Sequence, residues 1–244
     1  MVVGNDILKK LVTQFHGENT FTYDELCTFL KIEFPEIAEK TISWHIYKLK
    51  KDGVITHISR GIYSLKKKDE YIPELSLSLK KIFNKIQTNL PFLNLCVWDS
   101  RWFNEFMVHQ LFKFYLVVET EKDAINSVFN NLVDTNNNVY LNPDSEIYNR
   151  YIVNQDEVII VKPLVSEAPL TEIDKIAIPT IEKLLIDCLI DKDLFAAQQD
   201  ELENIYQTVF EKYIVNLNKS RRYARRRDRL VEFEDKLIKL NLNH

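Results

Sequence analysis

The sequence predicts an α+β protein, and three observations carry the assignment. The first 68 residues set helix-period apolar stripes before two short β-rich runs, residues 69–168 mix strand and helix signals around Asn- and Pro-containing turns, and residues 169–244 return to helical spacing. The expected organisation is therefore a 1–68 module of three helices and a hairpin, a small α/β unit over 69–168, and a helical C-terminal region over 169–244. The chain of 244 residues is long enough for two or three such units.

Within the first module, Asn5 or Asp6 caps a helix running to about His16, with Ile7, Leu8, Leu11, Val12 and Phe15 on one face and Gly17 as its stop. Thr22 followed by Glu25 is a capping box, and Phe21 before the cap can staple to Leu26. Phe29 and Leu30 extend that stripe until Pro35 ends it. A third helix spans about Glu36 to Lys51 and closes at Asp52-Gly53. Ile42, Ile46 and Leu49 fall within roughly 60° of one another on it, so they form its core face. The opposite side collects Lys40, Ser43, Trp44, Tyr47, Lys48 and Lys51, with Thr41 beside them. Lysines and large aromatics sharing the open side of one helix call for a partner. His45 lies nearer the core edge and reads as a packing residue. The runs Val54–Ile58 and Ile62–Leu65 then form a hairpin whose tip carries Arg60 and whose Gly61 supplies the positive φ.

Three helices and a basic-tipped hairpin make a winged helix-turn-helix. In that arrangement Lys40, Thr41, Ser43, Trp44, Tyr47, Lys48 and Lys51 face the major groove, Arg60 meets the minor groove or backbone, and Lys66 and its two lysine neighbours reach phosphates. The charge distribution agrees. Residues 1–68 carry +3 of a chain whose total is −4, which sets a mildly basic module on an acidic body.

In the remainder, residues 69–75 read as a linker, a helix follows near Ser76–Ile86, and Leu93–Trp98, Leu111–Val118, Val139–Leu141 and Val158–Val161 read as strands around a Glu121–Val133 helix. From Pro169 the pattern reads as helical, with Thr171-x-x-Asp174 resembling a cap, then helices after Pro179, over Leu194–Tyr213, and over Lys219 to about Leu240. The last begins with a dense run in which Arg221, Arg222, Arg225, Arg226 and Arg227 are candidates for phosphate contact. The competing reading pairs them with the acidic residues of 182–211, Asp187 and Asp191 included.

Several chemistries are excluded or disfavoured. All four glycines lie at or before Gly61, so later residues cannot build a P-loop, a dinucleotide fingerprint or a G-x-S-x-G elbow. Cys27, Cys96 and Cys188 stand far apart, which argues against zinc and disulfides. Asp99 with Glu119 and Lys122 has the flavour of a metal-dependent nuclease, but the acidic-x-Lys spacing is missing, and His109 has no H-E-x-x-H companion. Asp144 and Glu146 sit in a turn. The expectation is a non-enzyme with no cofactor and no metal. With no membrane-length apolar run and no leader, it is expected to be cytoplasmic, without a membrane partner.

Two stretches give the chain a likeness to a known family. They are Ile42–Leu65, where Lys-Asp-Gly passes into Arg60-Gly61-Ile62-Tyr63, and Pro179–Asp187 continued by Arg222-Tyr223-Ala224-Arg225-Arg226. On these residues the chain resembles the AbiEi-like abortive-infection antitoxins, the winged-helix regulators of type IV toxin–antitoxin systems. The resemblance implies a transcriptional autorepressor that binds inverted repeats in double-stranded DNA upstream of its operon. It also implies a functional partner, a nucleotidyltransferase toxin neutralised without a stable complex. The alternatives are a winged-helix nuclease and a winged protein-interaction module.

Overall fold

Thr22 sets the geometry of the first part of the chain. Its hydroxyl accepts the Glu25 N–H at 3.2 Å while the Glu25 carboxylate accepts the Thr22 N–H at 2.7 Å, the reciprocal cap that the local sequence predicts. Strand β1 (Phe21–Thr22) leads into helix α1 (Tyr23–Glu33), followed by α2 (Glu39–Lys51) and the hairpin strands β2 (Thr56–Ser59) and β3 (Ile62–Ser64). The three strands form an antiparallel sheet in the order β1-β3-β2, with Phe21 opposite Tyr63 and Ser59 opposite Ile62. One apolar cluster joins these elements, including Leu11, Phe21, Leu26, Leu30, Ile42, Ile46 and Tyr63. The computed structural model describes residues 10–11, 13–15, 20–35, 38–51, 54–65 and 69–242. Most of the predicted first helix, its stop at Gly17, the Asp52-Gly53 closure and Lys66 lie outside them.

The protein is α+β and divides into two units, one of residues up to Asp69 with the chain from Leu237, the other Glu70–Lys236. The second unit is continuous across the expected boundary at 168/169. It opens with α3 (Leu77–Asn89), whose cap Ser76 accepts the Leu79 N–H at 3.2 Å. Its main sheet has the order β4-β5-β7-β6, built from β4 (Leu95–Asp99), β5 (Tyr115–Thr120), β6 (Val139–Leu141) and β7 (Val158–Pro163). β4 runs antiparallel to β5, whereas β5, β7 and β6 are parallel, with α4 (Ile125–Val133) and the short α5 (Ser145–Ile147) in the connections. Nearly continuous burial along β4 and β7 fits strands covered on both faces. The strand expected from Leu111 begins instead at Tyr115. Asn104 accepts the Leu111 N–H and donates to its carbonyl, both at 3.0 Å, so the side chain occupies the groups a ladder would need.

Two helical expectations are corrected. Residues after Pro169 form a hairpin, β8 (Leu170–Ile173) and β9 (Ile176–Pro179), not a capped helix. Asp174 and Lys175 both take positive φ, 51° and 65°, which is the two-residue turn that matches strand twist. Helices α6 (Ile181–Ile190) and α7 (Leu202–Lys212) follow. The long final helix is broken into α8 (Leu217–Arg226) and α9 (Leu230–Lys239). At the break Asp228 has φ 54°, and the Arg229 N–H turns back to the Ala224 carbonyl at 2.9 Å, closing α8 as a left-handed cap. Among the described residues no helix is long and apolar enough to cross a membrane.

Candidate nucleic-acid interface

α2 has two chemically distinct sides. Ile42, Ile46 and Leu49 are 2%, 4% and 7% exposed, so they fix the helix to the apolar cluster. At ~100° per residue, Lys40, Trp44, Tyr47 and Lys51 fall together on the opposite side. Trp44 and Tyr47 keep 53% and 62% of their surface open, and Lys40, Thr41, Ser43 and Lys51 are also exposed. Lys48 is half-buried, with its Nζ 5.3 Å from the Trp44 ring centroid, so the indole face and the ammonium form one amphipathic unit. No Asp or Glu occurs between Lys40 and Lys51, so the one acidic residue of the helix is Glu39 at its start.

The neighbours of this face hold it in place. His45 stacks on Phe34 with centroids 6.3 Å apart and an interplanar angle of 4°, and meets Trp44 edge-on. Burial, with the Lys48 charge, pulls the His45 imidazolium below its ordinary value, as suits a packing residue. The Tyr23 and Ser43 hydroxyls lie 3.4 Å apart, and the Tyr23 N–H donates to the Gly61 carbonyl at 2.6 Å. Tyr23 therefore ties the start of α1 to both α2 and the hairpin turn, a link that periodicity alone does not reveal. In that turn Gly61 has φ 76°, and Arg60 beside it is exposed. A methyl at Gly61 would meet only Tyr23 Cβ at 4.0 Å, so the glycine is required by the backbone angle and not by crowding.

The arginine run resolves into two groups. Arg227 Nη1 donates to Asp187 at 2.7 Å and Nη2 to Asp191 at 3.1 Å. Arg221 pairs with Glu234 at 2.7 Å, and the exposed Arg229 lies 3.6 Å from Glu232. Arg222, Arg225 and Arg226 are exposed, and among the described residues none of them has a carboxylate partner. The run also lies toward the C-terminal end of α8, where the dipole favours cations, and not at a helix start as the sequence suggested.

Arg227 pairs as the competing sequence reading has it, with Asp187 and Asp191, and through them belongs to a buried ionic network around Lys183 and Glu119 that sequence reasoning missed. Lys183, fully buried on α6, contacts Glu119 at 2.7 Å and Asp187 at 2.5 Å. Trp98 Nε1 donates to Glu119 at 3.3 Å, the Tyr223 hydroxyl to Asp187 at 2.9 Å, and Lys162 to Asp191 at 2.8 Å. Burial alone would lower the Lys183 ammonium, but the adjoining Asp187 and Glu119 carboxylates hold it well above the ordinary lysine value. Burial likewise opposes ionisation of Asp191, yet Lys162 and Arg227 keep its carboxyl below the usual range.

The carboxylates weighed for metal chemistry do not converge. Asp99 pairs with Leu116 and Cys96 with Glu119, so Asp99 and Glu119 are three register steps apart and point to opposite faces of the sheet. Asp99 caps the 3₁₀ turn after β4 through the Arg101 N–H at 2.8 Å, and burial raises its carboxyl. Asp144 caps α5 through the Ile147 N–H, Glu146 pairs with Arg150, and His109 with Glu201. Among the described residues no group of His, Cys, Asp and Glu is placed to hold a metal ion.

No curated protein matches the chain. A profile described as a family of unknown function, DUF6577, matches residues 41–243, which take in α2 from Thr41, the hairpin and all of the second unit. The chain belongs to this family of unknown function, DUF6577.

Proposed function

We propose that the first unit is a winged helix-turn-helix that binds duplex DNA, and that the protein is a cytoplasmic transcriptional autorepressor and antitoxin of a type IV system. α2 enters the major groove, α1 braces it, and the β2–β3 hairpin is the wing. The observation that carries this reading is the open side of α2, where Trp44 and Tyr47 stand among lysines with no acidic residue from Lys40 to Lys51. Phosphate contacts from Lys40, Lys48, Lys51 and Arg60 would set register, while Trp44, Tyr47 and Ser43 would read base edges and thymine methyls. The antitoxin role rests on the likeness in the two quoted stretches.

The test is binding of the full chain to the duplex upstream of its own coding sequence, measured by mobility shift against a scrambled duplex of equal length. A specific operator should be preferred by about 10³-fold or more at physiological salt. Equal affinity for both duplexes would remove the operator reading. Growth rescue on co-expression with a nucleotidyltransferase encoded by the neighbouring gene tests the antitoxin half separately.

A further inference from the structure

We infer that the outward face of α8 is a second, sequence-independent contact for the duplex DNA backbone, made by Arg222, Arg225 and Arg226. Three observations support this. These guanidinium groups fall within roughly 100° of one another around the helix, so they share one side. Their neighbours Arg221 and Arg227 are neutralised by Glu234, Asp187 and Asp191, which satisfies what the fold requires of the run. The chain after residue 68 carries seven more acidic than basic residues, yet these three arginines meet no carboxylate among the described residues.

The partner chemistry follows from Arg226. Its Nε and Nη2 both donate to the single neutral hydroxyl of Ser166. A planar fork of N–H donors is suited to an anion with several acceptor oxygens, and one hydroxyl leaves its charge unmatched. Arg222 and Arg225, three residues apart, present two more forks on adjacent positions of the helix. A row of regularly spaced phosphates offers oxygens to all three, whereas a lone carboxylate serves one. The inference is independent of the α2 reading, because these arginines lie in the other unit.

The experiment measures affinity of the full chain for the upstream and scrambled duplexes across a salt series, with R222A/R225A, R222K/R225K and W44A beside the parent. Loss of two phosphate contacts should make the log–log salt slope shallower by about 2, equally on both duplexes. R222K/R225K, which keeps the charges, should restore most of the slope, and thermal melting of all variants should match the parent. An unchanged slope in R222A/R225A overturns the inference while leaving the α2 reading intact. A reduced slope in R222A/R225A with equal affinity of the parent for both duplexes supports the inference and removes the operator reading of α2, while no specific loss in W44A removes Trp44 alone from sequence readout. Arginine-dependent binding of single-stranded RNA or of an acidic protein, with duplex binding unaffected, also overturns it.

Discussion

Helices α2 and α6 each bring a lysine toward a tryptophan face, with opposite consequences. On α2, Lys48 lies 5.3 Å from the Trp44 centroid at the surface, and no residue from Lys40 to Lys51 is acidic. On α6, Lys183 lies 6.0 Å from the Trp98 centroid but is fully buried and held between Glu119 and Asp187. A buried cation must have its charge returned by the fold, because leaving it unpaired in a low-dielectric interior costs several kcal/mol. A surface cation needs no such return. The comparison teaches that charge with complete internal partners reports on folding, while charge left open beside exposed aromatics reports on a ligand.

Removing the buried cation should give the largest effect. Lys183→Met keeps most of the chain volume but strands the Glu119 and Asp187 carboxylates, and should cost about 3–5 kcal/mol in urea unfolding. A cost below about 1 kcal/mol would mean that water or rearrangement satisfies those carboxylates, and the contrast between the two helices would fail. The periphery of the network should show a pH signature. Because Asp191 has a lower pKa folded than unfolded, its contribution is present above the ordinary carboxyl range and is lost as pH falls through the folded value. Asp191→Asn should cost about 1–3 kcal/mol near neutral pH. The gap to the parent should close on acidification below about pH 4, and a pH-independent gap would contradict the assigned shift.

On the open helix, stability and binding should separate. Trp44→Ala removes a half-exposed ring, so the melting temperature should hardly move, while affinity for a specific operator falls by about 1–3 kcal/mol with non-specific affinity retained. Equal losses on both duplexes would place Trp44 outside sequence readout. A large loss of stability would assign it to the fold, as Lys183 is.

The two regions also differed in how much the sequence revealed. The Thr22–Glu25 cap, the α2 core face and the Gly61 turn were legible because each is specified within a few residues. The centre of the buried network was not, since Lys183 reaches Glu119 across 64 positions, whereas the Arg227–Asp187 pair, 40 positions apart, was legible only as one of two competing readings of the arginine run. One local signal was available: Lys183 and Asp187 stand one turn apart and flank the apolar run Leu184-Leu185-Ile186, a pattern that asks for paired burial. The Asp174-Lys175 turn and the Asp228 break were hidden for a different reason. After Gly61 the chain makes its described left-handed turns with Asn, Asp, Glu and Lys, so the usual glycine marker of a turn is missing.

That habit yields the smallest prediction. Lys175 is exposed at φ 65°, and among the described residues no carboxylate pairs with it. A left-handed conformation costs a non-glycine residue roughly 1–2 kcal/mol, part of which glycine gives back through the greater freedom of its unfolded chain. Lys175→Gly creates the Asp-Gly pair that such a hairpin turn prefers, and should stabilise the protein by about 0.5–1 kcal/mol, seen as a higher urea midpoint at unchanged slope. Destabilisation would show that the lysine side chain holds the hairpin through an interaction that its exposure conceals. In that case the rule drawn from α2 and α6, that an open charge is free of the fold, would need to be narrowed.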